Sequence, residues 1–375
     1  MVLINTRKIC LVANTAWSML NFRRGVIQSL ISLGYDVVVL APYDDAFEKL
    51  EKMGCTVVDL KMDARGINPI KDLFLIGRLY YIYKRLRPSL IIHYTIKPNI
   101  YGSLAAKAAG FPALAITTGL GYTFLNDNLV AKVARCLYKF AFKFPKEVWF
   151  LNDDDMQTFL ARNLVSPQKA KLLHGEGVDT DYYAPKFEVI HDNKVRFLLI
   201  ARMLWDKGVG EYVKAAEIVK KSYPDVVFQL LGACGVANPS VIEREQVAVW
   251  EEQGIVEYLG TTQDVRPYIA QSTCVVLPSY REGIPRTLLE AAAMAKPLIA
   301  TDVPGCRDVV VDGETGFICD VKNPTSLANA LIKFIKMDAS ERLEMGNVGR
   351  DFVESNFSEN LVIQQYMETI KRLAN

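Results

Sequence analysis

Hydrophobic positions along this chain alternate between two rhythms. Short continuous runs of β-branched and aliphatic residues come first: KICLVAN (8–14), DVVVL (36–40), TVVDL (56–60), SLIIHY (89–94), ALAITT (113–118), EVWFL (147–151) and KLLH (171–174). Their length and continuity predict strands buried on both faces. Between most of them lie longer stretches with helical spacing, such as 19–33, 68–87 and 98–109. The segment GEGVDTDYYAPKFEVIHDNK (175–194) is rich in turn residues and has no period. After it the alternation restarts with VRFLLI (195–200), VVFQLL (226–231), IVEYL (255–259), CVVLP (274–278) and PLIAT (297–301), with helical patterns at 207–221, 240–252 and 286–295. Alternating strands and helices predict parallel sheets covered by helices. Two such series predict an α/β chain of two doubly wound domains, 1–187 and 188–358, with a linker near 182–194. The last helical pattern, within 359–375, either stays with the second domain or returns to the first. Ligands of such sheets bind beyond the C-terminal strand ends, so a shared ligand is expected in a cleft between the domains.

Composition agrees with this division. The chain has 375 residues, half of them hydrophobic, and single cores stop growing at about 250–300 residues. Net charge is only +2, but residues 1–188 hold 24 Lys and Arg against 17 Asp and Glu, and the remainder holds 20 against 25. The first half therefore either meets an anionic surface or shows ordinary scatter. The seven cysteines include no C-x-x-C pair, and Cys10, Cys55, Cys136, Cys274 and Cys319 sit in apolar runs. They are expected to be buried free thiols in a reducing compartment. The opening MVLINTRKICLVAN lacks the form of a signal peptide. No uninterrupted apolar window reaches the ~18 residues of a spanning helix, so a cytoplasmic location is expected.

Candidate chemistry concentrates in PSYREGIPRTLLEAAAMAKPLIATD (278–302). A buried strand ends at Pro278, and a loop at its C-terminal edge carries Glu282. Pro285 suits the first position of a helix, where its missing N–H is not needed. The N–H groups of Arg286, Thr287 and Leu288 then form an anion site at the positive end of the helix dipole. Glu290 lies too far along to cap the helix, on a stretch otherwise apolar. If buried, it needs hydrogen-bond donors, which a ribose diol supplies, while Glu282 would reach a sugar hydroxyl. Alternatively Glu290 is a solvated helix residue and Glu282 a plain loop charge. A second loop, ARMLWDKG (201–208), places Arg202 and Lys207 past the strand VRFLLI, where two cations can neutralise a diphosphate. Gly232, just past VVFQLL, would allow a nucleotide to approach the backbone closely.

The A-R-x-x-x-x-K-G of 201–208, the E-x7-E of 282–290, TDVPG (301–305) and DGETGF (312–317) together resemble the retaining glycosyltransferases of family 4, with the GT-B fold. KPNIYG (97–102) and TTGLGYTF (117–124) resemble a subgroup that builds bacterial surface polysaccharides and glycoprotein glycans on lipid carriers. The resemblance implies two Rossmann-like domains, the first binding the acceptor and the second a nucleotide-diphosphate sugar. It implies that Arg202 and Lys207 hold the diphosphate, Glu290 the ribose hydroxyls and Glu282 a donor-sugar hydroxyl. Gly283, Ile284, Arg286, Thr287 and Leu288 would line phosphate and sugar. Many relatives carry a Gly-Gly loop after the first strand. Here NTAWSMLNFRRG (14–25) lacks it, and Asn14, Trp17 and Asn21 would shape the acceptor side instead. Lys97, Asn99, Thr118 and Tyr122 join them from the two N-terminal motifs. Some relatives have a His or Asp where Thr117, Thr118 and Gly119 stand, so a base is unassigned. His93 is the best titratable candidate, with a structural histidine as the alternative.

NDDDM (152–156) raises a metal-binding D-x-D, but acids that follow a strand and open a helix are expected as N-cap and first-turn residues. Metal independence and the absence of a cofactor are therefore expected. AKVARCLYKFAFKFPK (131–146) carries Lys132, Arg135, Lys139, Lys143 and Lys146 without an acid, beside Leu137, Phe140 and Phe144. It is either a basic amphipathic helix lying on anionic lipid or a solvated helix face. No nucleic-acid motif accompanies it. With the basic stripe, the family resemblance implies a hexosyltransferase, peripheral on the inner face of the plasma membrane. It would move a hexose or N-acetylhexosamine from a UDP-sugar to a polyprenyl-diphosphate-linked saccharide. The alternatives are a UDP-sugar 2-epimerase and a non-catalytic nucleotide-sugar binder.

Overall fold

The computed structural model describes residues 7–63, 66, 68–120, 129–187, 194–236 and 238–374. The chain forms two compact units, one from the residues up to Glu176 together with those from Asn360 onward, the other Gly177–Glu359. The division thus falls earlier than residue 187, and the C-terminal segment packs with the first unit.

The first unit holds a seven-stranded parallel sheet. Its strands are β1 (Lys8–Val12), β2 (Asp36–Ala41), β3 (Thr56–Asp59), β4 (Leu90–Tyr94), β5 (Ala113–Thr117), β6 (Glu147–Phe150) and β7 (Ala170–Leu172). Their order is β3-β2-β1-β4-β5-β6-β7. The second unit holds six parallel strands: β8 (Arg196–Ile200), β9 (Val227–Leu231), β10 (Glu257–Tyr258), β11 (Cys274–Leu277), β12 (Leu298–Thr301) and β13 (Gly316–Cys319). They run in the order β10-β9-β8-β11-β12-β13. The sequence pattern did not indicate β13. The strand order reverses once in each sheet, between β1 and β4 and between β8 and β11, and such switch points are where doubly wound sheets bind ligands. The expected pair of Rossmann-like sheets is what the chain forms.

Local chemistry explains the helix boundaries. Asn68 accepts hydrogen bonds from the Ile70 and Lys71 N–H groups at 3.0 and 3.3 Å and starts the helix Pro69–Leu86. The pattern at 19–33 is two helices, Ala16–Phe22 and Arg24–Ser32, broken at Arg23, which turns inward. The pattern at 98–109 opens with a π-helical turn, Pro98–Gly102, after Thr95 at φ 68°. Two helices that the pattern did not single out, Pro324–Ile335 and Ala339–Phe357, close the second unit. The latter starts with a capping box between Asp338 and Glu341.

The C-terminal helix Glu359–Leu373 completes the first unit. Tyr366 meets Trp149 edge-on at 5.1 Å, Gln365 donates to the Leu172 carbonyl at 2.8 Å, and Arg372 pairs with Glu147 at 2.8 Å. Nearby, Arg23 is only 2% exposed. It forms a 2.6 Å ion pair with Glu176 and stacks over Tyr94 at 4.7 Å. Burial disfavours the charged guanidinium, yet Glu176, together with Tyr366 and Tyr94, more than offsets it, and Arg23 titrates above its ordinary value. All seven cysteines are free thiols. Cys136 is exposed, against expectation, because it lies on the outer face of its helix.

Candidate active site

The second unit's site is built by the loops that follow β8, β11 and β12. Lys207 ends a short 3-10 turn, Trp205–Lys207, and Gly208 follows at φ 72°. A Cβ at Gly208 would stand 1.9 Å from the Pro278 carbonyl oxygen, so only glycine lets the two loops touch. The Tyr280 N–H donates to the Asp206 carbonyl at 2.9 Å. The Thr301 hydroxyl donates to the Ser279 carbonyl. The Glu282 N–H donates to the Pro304 carbonyl at 3.2 Å, and a Cβ at Gly305 would meet the Gly283 oxygen at 2.3 Å. These contacts bring Lys207 and Glu282, distant in sequence, into an ion pair at the sheet's switch point. Arg202 is exposed in the same loop as Lys207 and forms no ion pair among the described residues.

The helix Arg286–Ala293 follows directly. Pro285 occupies the N-cap position rather than the first helical one, and no side chain caps the helix. The Leu288 N–H is taken by the Pro285 carbonyl at 3.1 Å, so it does not join the expected anion site. Glu290 is buried, which rules out the solvated alternative. Burial pushes its carboxyl above the usual range, and Arg286 and the Tyr183 hydroxyl pull in the opposite direction. Arg286 Nε lies 3.2 Å from Glu290 Oε1. Ile284 and Leu288 are buried beneath the helix start, while Gly283, Arg286 and Thr287 are half-buried. Gly232 has a different neighbour from the one expected. At φ 145°, its added Cβ would stand 1.8 Å from the Ala201 oxygen, so it admits the chain leaving β8.

Sequence reasoning missed Tyr183, because it lies in the segment without period. Arg350 was missed too: it reaches from the helix Ala339–Phe357 to the carbonyls of Tyr183 and Ala293. The resulting constellation places Lys207, Arg286, two carboxylates and an uncapped helix start at one sheet edge. It can hold a polyanion at the cations and a diol at a buried carboxylate.

In the first unit the expected acceptor residues divide. His93 is fully buried; its Nε2 lies 3.0 Å from the Tyr83 hydroxyl, and a Cβ at Gly102 would lie 2.5 Å from the ring. Burial pushes its pKa down to about 3. It is a core histidine, and the catalytic alternative falls. Lys97 is held by Asp72 at 2.6 Å. Asn99 is fully buried and donates to the Ile116 carbonyl at 2.8 Å, while its Oδ1 has no partner among the described residues. Trp17 is exposed, its backbone N–H donates to the Asp44 carboxylate, and Asn21 donates to the Trp17 carbonyl. Asn14 and Thr118 are half-buried at the ends of β1 and β5. Tyr122 lies outside the described residues.

Among the basic residues of 131–146, Lys132, Lys139, Lys143 and Lys146 are exposed and Arg135 is half-buried. On the helix Leu129–Ala141, Leu137 packs inward, while Leu129, Val133 and Phe140 are exposed. The apolar seam therefore differs from the one the spacing predicts. Asn152, not an aspartate, caps the helix Asp153–Ala161, accepting from the Asp155 N–H at 2.8 Å. The three aspartates fill the first turn, where negative charge is favoured.

Comparison with known proteins fits this geometry. Residues 184–352 match the family described as Glycosyl transferases group 1, and residues 8–152 match Glycosyl transferase 4-like. A Campylobacter jejuni protein is 29% identical over 98% of this chain and 99% of its own length. It is named N,N'-diacetylbacillosaminyl-diphospho-undecaprenol alpha-1,3-N-acetylgalactosaminyltransferase. An Escherichia coli UDP-Gal:alpha-D-GlcNAc-diphosphoundecaprenol alpha-1,3-galactosyltransferase is 25% identical over 72% of each chain. Among solved structures, a glycosyltransferase from Rickettsia africae superposes with TM-score 0.82 at 21% identity, covering 98% of this chain and 99% of that one. Anabaena HepE in complex with UDP gives 0.78 at 19%, covering 97% and 100%.

Proposed function

The chain belongs to the group 1, family 4-like glycosyltransferases, and from that premise we propose that it transfers a hexose or N-acetylhexosamine from a UDP-sugar to a polyprenyl-diphosphate-linked saccharide. The observation that carries the donor half is the Lys207–Glu282 pair beside buried Glu290 at the β8/β11 switch point. The acceptor class rests on the two undecaprenol-dependent relatives. In the proposed reaction Lys207, Arg202 and the start of the helix Arg286–Ala293 hold the diphosphate. Glu290 accepts from the ribose hydroxyls and Glu282 from a hydroxyl of the donor sugar.

Among the described residues no side chain is assigned as a nucleophile, so the proposed chemistry is a front-face displacement with retention. The acceptor oxygen bonds to the anomeric carbon as the bond to the diphosphate breaks. The acceptor proton passes to the leaving diphosphate. Catalysis is then positioning and stabilisation of developing negative charge. The 2-epimerase alternative would use acid/base groups, and His93 is removed from that role by its burial.

The test is transfer from radiolabelled UDP-sugars to short polyprenyl-diphosphate-linked saccharides, with and without excess EDTA. Product is expected in both conditions. Activity that vanishes with EDTA and returns with Mn²⁺ would overturn metal independence. UDP-sugar binding without turnover against any lipid-linked acceptor would leave only the binder.

We further propose that the helix Leu129–Ala141 rests on the cytoplasmic surface of the membrane. Among the described residues, no helix is long and apolar enough to cross a membrane. The exposed Lys132, Lys139, Lys143 and Lys146 flank exposed Leu129, Val133 and Phe140. Each basic side chain near an anionic bilayer contributes about 1 kcal/mol. Changing Lys139 and Lys143 to Glu is expected to release the protein from phosphatidylglycerol vesicles in co-sedimentation, while UDP binding persists. Equal pelleting of wild type and variant returns the stripe to a solvated face.

A further inference from the structure

A cavity of about 760 Å³ in the first unit lies apart from the residues assigned so far, Lys97 excepted. It opens where the chain leaves β2, β3 and β4, at the C-terminal edge of the sheet. Four cations line it, Lys61, Lys71, Arg78 and Lys97, against two acids, Asp63 and Asp72. The acids are occupied. Asp72 takes Lys97 at 2.6 Å on one oxygen and the Tyr101 hydroxyl at 2.8 Å on the other, and Asp63 accepts from the Gly66 N–H at 2.8 Å. Lys61, Lys71 and Arg78 are exposed and form no ion pair among the described residues. Arg78 is steadied by the Lys61 carbonyl at 3.4 Å. The cavity therefore carries four cations against two acids, a net positive lining, with buried Asp72 bonded on both oxygens beneath it.

The same helix that supplies Lys71 and Arg78 carries an apolar stripe on its solvent side. Ile70, Leu73, Phe74 and Tyr81 are all exposed, Phe74 to 76%, at positions that share one face of the helix Pro69–Leu86. Phe74 also forms part of the cavity wall. A surface helix ordinarily turns such residues inward, and a contiguous exposed patch marks a binding surface. Charge and stripe meet at one residue, so the ligand they fit is an anionic head joined to a long apolar chain.

We propose that this cavity holds the diphosphate of the polyprenyl-linked acceptor, with the polyprenyl chain lying along Phe74, Leu73, Ile70 and Tyr81. Lys61, Lys71 and Arg78 match the dianion of a diphosphate diester by charge-assisted hydrogen bonds. The assignment rests on the acceptor class proposed above and adds the place where that acceptor is gripped. It also accounts for Lys97, which anchors the floor through Asp72 rather than reaching for the ligand.

The test is calorimetric titration of the full chain with farnesyl diphosphate below its micelle concentration. UDP is kept saturating so that the second unit's cations are blocked. Wild type is expected to bind farnesyl diphosphate at least tenfold more tightly than either inorganic diphosphate or farnesol. Lys71→Ala/Arg78→Ala should weaken farnesyl diphosphate at least tenfold. Leu73→Ser/Phe74→Ser should weaken farnesyl diphosphate but leave inorganic diphosphate unchanged. All four positions are exposed, so folding is preserved, and the heat of UDP binding checks it. Equal affinity in wild type and the Lys71/Arg78 variant overturns the site. Inorganic diphosphate binding as tightly as the farnesyl ester overturns the lipid assignment in favour of a free-phosphate site. Absence of UDP heat in wild type overturns the UDP-sugar donor proposed above, separately from the cavity.

Discussion

Lys207→Ala is expected to lower kcat by roughly a hundred- to a thousandfold, the size of effect seen when one donor to a developing oxyanion is removed. Gly208 seats the Lys207 turn directly on Pro278, and Glu282 fixes the ammonium at the edge of the sheet. In transfer the leaving diphosphate gains negative charge, so a cation held there stabilises the transition state more than the ground state. The KM for donor should change less than kcat. Lys207→Arg should recover part of the loss, because charge returns without the compact ammonium shape. The Lys207–Glu282 pair is partly solvated, so its removal should leave the circular dichroism spectrum and melting midpoint close to wild type. An alanine variant that keeps more than a third of wild-type turnover would sink the assignment.

The second large effect is on stability. Glu176→Ala removes the one carboxylate that pairs with Arg23 among the described residues, and leaves that cation, only 2% exposed, without its counter-charge. Breaking a buried pair from one side costs about 3–5 kcal/mol. At about 2–4 °C per kcal/mol for a unit of this size, the first unit's melting transition should fall by roughly 6–20 °C. Replacing both partners with apolar residues, Arg23→Met with Glu176→Leu, should restore most of the loss, since desolvating two charges offsets much of their attraction. The stacking of Arg23 over Tyr94 would remain in Glu176→Ala but cannot replace a counter-charge. Differential scanning calorimetry decides it. A shift below 2 °C in the single variant would mean that Arg23 finds water or another partner.

Much of this architecture was visible in the chain because parallel strands buried on both faces read as unbroken apolar runs. β1, β4, β5, β8 and β11 are such runs, with burial along nearly their whole length. β13 was hidden because it opens with Gly316, where a Cβ would stand 2.0 Å from the Leu298 oxygen; the glycine reads as a turn, although close strand packing requires it. Lys207, Glu282 and Glu290 were legible because they follow strand ends at a spacing that points to one sheet edge. Tyr183 and Arg350 were not, since their meeting depends on a segment without period crossing to a distant helix. His93 shows the other limit. Its place at a strand end suited catalysis, and only packing against Tyr83 and Gly102 shows that it is inside. The Arg23–Glu176 pair, 153 residues apart, leaves no local signal at all.

The return of the C-terminal helix to the first unit sets an order of events during synthesis. The second unit, Gly177–Glu359, is continuous and can close as soon as it leaves the ribosome. The first cannot. Its Trp149 waits for Tyr366 and its Leu172 carbonyl for Gln365. At about 5–20 residues per second, the stretch from Glu176 to Tyr366 takes roughly 10–40 s to translate. For that interval a nearly finished sheet exposes the Trp149 surface and the buried Arg23 lacks its full surroundings. The nascent chain is therefore most in need of a chaperone at the unit made first, and premature termination shortly before residue 360 should yield a folded second unit attached to an open first one.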